Sequence, residues 1–483
     1  MRRSTVVALL AGSALAKAGA SASDTCHSIA KAVSKASDVY WPGSLSYTNG
    51  IKHWATSSTA LAACSVEPGS AGDIGKILQI LGSTKTPFAV KGGGHSTNAG
   101  FSSTTGVHIA MSRFKNVTYN SAAQTVDYGT GITWDAVYEA LEPFGVNVVG
   151  GRVSGVGVAG FSLGGGYSWL TNQYGLTVDN IVGFQIVLPN GQVTDVTRES
   201  DSDLFFSVLG GYNNFGIVTR FTAKAYPQGQ VWGGNKFVLG LGDNWEKLNE
   251  ATAKFQAEVT DPKAQVLPTY NVAEGTAVAS VLMFYDGPTP PEGIFDDFLA
   301  IPALSSDIAT RSFLSLVQST PSTATTRAVF DTVSLTTISP ALLEAVVNET
   351  QFWSARLALR SANFLSYDVE PFLTSLFKHG AEAATAYPPT RERGLLPLNI
   401  YYAWDLAEFD EAMQAAAAQS AAHLRAVALA AGEDIADVPV YGNYAGPNTP
   451  VEQIFGDSLP RMRETKQRVD PNDVMGLAGG WKV

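Results

Sequence analysis

Apolar residues recur at helical spacing at Ile74, Ile77, Leu78 and Leu81, just after Ser70 and Asp73. A serine followed three residues later by an acid is a capping pattern, so a helix is predicted from Ser70 to Leu81. Short apolar runs at 88–90, 107–111 and 125–128 read as strands. Thr133 is placed to cap a helix whose Trp134, Val137, Tyr138 and Leu141 share one face. Strands follow at 181–188 and 192–196, joined by the turn Pro189-Asn190-Gly191. A short helix after Asp201 stops at Gly210-Gly211, and a strand runs over 215–221. Beyond 226–227 the pattern changes. Strand-like runs at 278–285 and 398–404 alternate with helical stretches, an alanine-rich helix spans 409–430, and the tail turns helical again from 458. Helices alternating with strands indicate an α/β or α+β class.

Two glycine-rich blocks interrupt this pattern. Residues 90–98 read Val-Lys-Gly-Gly-Gly-His-Ser-Thr-Asn directly after an apolar run. Glycines let a backbone turn sharply and approach a ligand, and successive N–H groups can form an anion nest. A plain glycine turn with an incidental histidine fits those nine residues equally well. Residues 150–166 hold eight glycines in seventeen, so their backbone must lie against a ligand or against itself. Gly155, Gly157 and Gly160 fit the dinucleotide pattern G-x-G-x-x-G, with Asp179 about twenty residues on. Gly164, Gly165 and Gly166 follow too closely for a long helix, since each glycine costs ~1 kcal/mol inside one. A nicotinamide-type Rossmann unit is therefore not expected.

Composition narrows the class. A chain of 483 residues, 45% apolar and 16% charged, is globular and long enough for two domains. Its net charge of −11 excludes a nucleic-acid partner that depends on a basic surplus. Met1-Arg2-Arg3, an apolar run over 6–16 and small residues over 18–22 make a signal peptide cleaved near Ala20 or Ala22. Secretion is expected, with no membrane span. In an oxidising compartment Cys26 and Cys64 would form one disulfide; two free buried thiols are the alternative. Asn116 and Asn348 head glycosylation sequons. His27, His53, His108, His379 and His423 show no ligand spacing, so no metal site is expected. A serine hydrolase is not expected.

The blocks at 91–96 and 151–166, the strand at 214–219 and the run Tyr441-Gly442-Asn443-Tyr444 together resemble one family. They are similar to the berberine-bridge-enzyme-like oxidases of the vanillyl-alcohol-oxidase superfamily, over nearly the whole chain from Cys64 to the tail. The resemblance implies an α+β fold: a PCMH-type FAD-binding domain in two subdomains (23–227, completed by 441–483) and a substrate domain of antiparallel sheet covered by helices (228–440). It implies that Gly92, Gly93 and Gly94 cradle the FAD pyrophosphate and that His95 bonds covalently to the flavin. Many members add a cysteine link where this chain has Val153, so a single linkage is expected. Lys91, Ser96, Asn98, Gly151, Ser154, Gly155, Gly157, Gly160, Gly216, Ile217, Tyr441 and Asn443 fall at cofactor-binding positions. Val156 falls near the oxygen side of the flavin.

Tyr444 matches the family's catalytic tyrosine. With an ordinary pKa near 10 it needs a helper to act as a base, and the sequence names none. Some members use a glutamate on the strand matching 398–404. Here Asn399-Ile400-Tyr401-Tyr402 offers no carboxylate. The implied activity is that of a secreted, monomeric oxidase. It would pass a hydride from a small alcohol or secondary metabolite to flavin, and electrons on to O2 to give H2O2. An oxidase of mono- or oligosaccharides at the anomeric carbon is the alternative. A secreted flavin- or sugar-binding protein with little turnover is the reading from another class.

Overall fold

Ser70 accepts a hydrogen bond from the Asp73 N–H and opens the helix Ala71–Thr84. The capping box is not reciprocal. The Asp73 carboxylate instead accepts from Ser34 and Ser37, tying the helix to the N-terminal segment. The computed structural model describes residues 21–320, 326–380 and 384–483. Residues 1–20 of the expected signal peptide lie outside the described residues, while Ser21 caps the helix Ala22–Ala32. Cys26 of that helix is bonded to Cys64 at the start of the strand Cys64–Glu67, closing 38 residues of chain.

Four sheets follow. In the first, Asp38–Tyr40, Cys64–Glu67, Val107–Ala110 and Phe88–Lys91 lie side by side in that order, the last three parallel. The second is antiparallel, in the order Val117–Asn120, Thr125–Gly129, Ile217–Lys224, Ile181–Val187, Val193–Thr197. A two-stranded ribbon pairs Val146–Asn147 with Tyr226–Pro227. The fourth, eight-stranded sheet is antiparallel, and its inner strands include Ala264–Ala273, Ala362–Val369 and Leu396–Trp404, with Arg327–Leu335 at the edge. The helices Pro340–Leu357 and Asp410–Ala430 cover one of its faces. Strand side chains alternate between faces. Tyr367 and Tyr402 therefore point to the helices, where Ser420 meets the Tyr367 hydroxyl at 2.8 Å. Ser366, Asp368, Asn399 and Tyr401 point the other way.

The C-terminal helix Leu459–Val469 returns to the first part of the chain. Lys466 donates to the Asn214 carbonyl, Asn214 donates to the Trp481 carbonyl, and Ala478 bridges to Phe88. Thr133 sits at the start of the helix Trp134–Leu141 but makes no side-chain cap bond. Asn116 is exposed beside an edge strand. Asn348 is exposed in mid-helix, while its sequon partner Thr350 is buried and bonded to the Val346 carbonyl. Among the described residues no helix is long and apolar enough to cross a membrane.

Candidate active site

A cavity of about 390 Å³ opens where the glycine blocks, the Tyr441–Ala445 segment, the C-terminal tail and the uncovered sheet face converge. Gly93 and Gly157 make the closest approach between the two blocks. A Cβ on Gly93 would lie 2.4 Å from the Gly157 Cα, and a Cβ on Gly157 would lie 2.5 Å from the Gly93 Cα. Gly160 faces open space, so a side chain there would enter the cavity unopposed. It lies in the short helix Val158–Leu163, which stops at Gly164 and belongs to no Rossmann unit. Asp179, the acid of the dinucleotide pattern, is held by Arg391 at 2.6 Å. Residues 160–164, Gly-Phe-Ser-Leu-Gly, fit the serine-nucleophile pattern, but Ser162 is fully buried and cannot meet a substrate.

Gly92, Gly93, Gly94, His95, Ser96, Asn98, Val156, Gly157, Gly160, Gly216, Ile217, Tyr441, Asn443 and Tyr444 all line this cavity. Four expected cofactor residues lie behind its wall. The loop folds over Lys91, whose Nζ donates to the Lys52 and Asn49 carbonyls, and burial lowers its pKa to about 8. Gly151 packs beneath the Trp134 indole. The Ser154 hydroxyl and the Gly155 N–H both donate to the Asp135 carboxylate. Tyr441 and Asn443 act as a clasp: the Tyr441 hydroxyl accepts from the Gly166 N–H and from Asn443, while Asn443 accepts from Tyr212.

His95 stacks on Trp54 with ring centroids 4.4 Å apart, and Trp54 donates its backbone N–H to the Gly94 carbonyl. Burial pushes the His95 pKa down to about 4, so its imidazole is neutral at pH 7. Phe330 and Tyr401 extend the aromatic wall.

The Tyr444 hydroxyl has two charged neighbours that sequence reading could not name. It donates to Glu370 Oε1 at 2.9 Å and accepts from Arg152 Nη2 at 3.0 Å. The same guanidinium nitrogen lies 2.8 Å from Glu370 Oε2. Glu370 stands just past the end of the strand Ala362–Val369. The carboxylates missing from 398–404 are therefore supplied by the neighbouring strand, where Asp368 is the register partner of Asn399. Burial, with the Glu370 charge second, holds the Tyr444 pKa well above 10, although Arg152 opposes this. Tyr444 is thus a neutral phenol at pH 7.

The wall fits an FAD: a glycine cradle without Cβ atoms, a buried Asn98 Oδ1 with no protein partner, and an unpartnered Arg152 Nη1. Comparisons with known proteins decide the family. An FAD binding domain model matches residues 62–197. An FAD-dependent monooxygenase of Aspergillus calidoustus is 30% identical over 465 residues, covering 92% of this chain and 87% of that protein. The chain belongs to the family of FAD-linked oxidoreductases that includes this monooxygenase. An uncharacterized FAD-linked oxidoreductase of Arthroderma benhamiae is 38% identical over 292 residues, 59% of this chain and 58% of that protein. The solved structure of Physcomitrella patens BBE-like 1 superposes with a TM-score of 0.75 at 20% identity, covering 94% of this chain and 97% of that one. This FAD-linked oxidoreductase therefore has the PCMH-type α+β fold.

Proposed function

We propose that this FAD-linked oxidoreductase oxidises a small alcohol or secondary metabolite, with Tyr444 relaying the substrate proton to Glu370. The reading is carried by the Arg152–Tyr444–Glu370 cluster on the cavity wall. Bound FAD supplies the hydride acceptor. As the hydride leaves the carbon, the substrate hydroxyl proton passes to the Tyr444 oxygen while the Tyr444 proton passes to Glu370 Oε1. No free phenolate is needed, which suits a tyrosine whose pKa is held high. Arg152 orients both partners and offsets negative charge on the phenol oxygen in transit.

In the same proposal, Gly92, Gly93, Gly94, Gly157 and Gly160 cradle the cofactor, and neutral His95 attaches to it alone, since Val153 offers no thiol. O2 would accept the two electrons and, with the hydride's proton and the one held by Glu370, would leave as H2O2. The protein is secreted as a monomer after loss of residues 1–22, in keeping with the Cys26–Cys64 bond.

The test is a screen of alcohols against the purified flavoprotein, with H2O2 detection and anaerobic flavin bleaching. Tyr444→Phe should slow bleaching by about 10²–10⁴-fold, the usual weight of a positioned proton acceptor, with unchanged flavin content. Bleaching at the parent rate would end the relay proposal. The Aspergillus relative is named a monooxygenase. Isotopic oxygen from O2 appearing in the product, in place of stoichiometric H2O2, would move this chain to that chemistry.

A further inference from the structure

The proton relay leaves part of the cavity's polar wall unused. Asp368, in the strand two residues before Glu370, also lines the cavity. Arg152 is engaged by Glu370 and Tyr444, and among the described residues no ion pair reaches Asp368. Ser366 donates to one of its carboxylate oxygens, and Asn399 Nδ2 donates to the other at 3.0 Å. These bonds fix the carboxylate plane but leave accepting capacity on both oxygens. Asn399 uses its N–H₂ group on that bond, while its Oδ1 is buried without a partner. Asn399 is 5% exposed and lines the cavity.

Two acceptors therefore stand side by side, one anionic and one neutral. The aromatic wall around them brings Trp54 and Phe330 to 5.5 and 5.2 Å from the Tyr401 ring. The charged and titratable groups facing Asp368 are Glu370, Arg152, Tyr401 and Tyr444. Burial lifts its carboxyl to about 6, so it is ionised at pH 7.

We propose that Asp368 and Asn399 form a substrate-reading station, separate from the proton relay, that binds a second hydrogen-bond donor on an aromatic substrate. This deepens the functional proposal and rests on its assignment of the cavity as the substrate site. The donor is a hydroxyl or an ammonium group, on the ring that lies against Trp54, Phe330 and Tyr401. A site built to accept a hydrogen bond rejects an analogue that cannot donate one, because its buried acceptors are then left unpaired.

The experiment measures binding to the holoenzyme, by flavin absorbance perturbation and by calorimetry. The probes are the 2-, 3- and 4-hydroxybenzyl alcohols, each against its methoxybenzyl counterpart, and the aminomethylbenzyl alcohols. At least one hydroxy isomer should bind about 10- to 100-fold more tightly than its methoxy partner, the ratio expected of a hydrogen bond to a charged acceptor. Tighter binding of the aminomethyl probe than of the hydroxy probe identifies ammonium as the preferred donor; the reverse identifies hydroxyl. In Asp368→Ala the ratio should fall to within about 3-fold, and Asp368→Asn should give an intermediate value if the charge matters. Near-UV circular dichroism checks that each variant is folded. Hydroxy and methoxy probes binding alike to the parent, no binding by any probe, or a ratio that survives in both variants would overturn the proposal. Tyr444→Phe should keep the ratio while losing turnover, so loss of the relay and loss of the station are distinguishable.

Discussion

Tyr444, Arg152 and Glu370 depend on one another. The Arg152 and Glu370 side chains are 6% and 1% exposed. Removing one partner of such a pair leaves a buried charge uncompensated, at a cost of about 3–5 kcal/mol. Arg152→Met should therefore lower the thermal midpoint strongly, and Arg152→Met with Glu370→Gln should recover part of the loss. If the double variant melts no higher than the single one, the pair is not what Arg152 contributes. Glu370→Gln alone keeps an acceptor for Tyr444 but cannot take its proton. It should slow flavin bleaching by about 10²-fold or more with little change in substrate affinity. Tyr444 and the glycines were legible in the sequence because they lie in contiguous motifs. Arg152 and Tyr444 are 292 residues apart. Glu370 sits past a strand end in a stretch without a motif, so only tertiary structure brings the cluster together.

At the scale of elements, periodicity located the helices and strands because burial on one face enforces it. It missed what the polar residues do. Asp73 looked like a capping partner and instead fastens the helix to Ser34 and Ser37. Lys91 sits within a cofactor motif, yet the turn at Gly94, with φ of +74°, folds the loop across its side chain. The mutual contact of Gly93 and Gly157 gives a sharp expectation. Gly93→Ala forces a methyl into the Gly157 backbone, so the loops must part and the cradle opens. Flavin content of the purified variant should fall well below one per chain; full occupancy would show that the close approach is dispensable. The Cys26–Cys64 bond closes 38 residues. On the chain-entropy argument, replacing both cysteines by alanine should cost ~4 kcal/mol, read as a drop in denaturant midpoint.

Across the whole molecule, the eight-stranded sheet and the loops of the N-terminal part are joined by a few polar links. Thr97 accepts from the Phe330 N–H, and Ser57 exchanges two hydrogen bonds with Ala328. Asp331, on the same edge strand, accepts from the Thr332 N–H and from the backbone of Gly446, two residues past Tyr444. Burial raises its carboxyl from 3.8 to about 6. A folded-state pKa above the unfolded one means that stability is lost as pH rises through that window. Asp331→Asn should therefore be more stable than the parent above pH 6, by at most about 3 kcal/mol, and lose that advantage near pH 4. An advantage independent of pH would show that ionisation of Asp331 is not the cause.

The central claim is that this cavity holds an FAD attached through His95 alone. Its most direct measurement is the intact mass of the acid-denatured protein, followed by peptide mapping. The account predicts one FAD on each chain, carried by the peptide containing His95, and none on His95→Ala. A denatured parent chain without flavin, or flavin retained by His95→Ala, would contradict it.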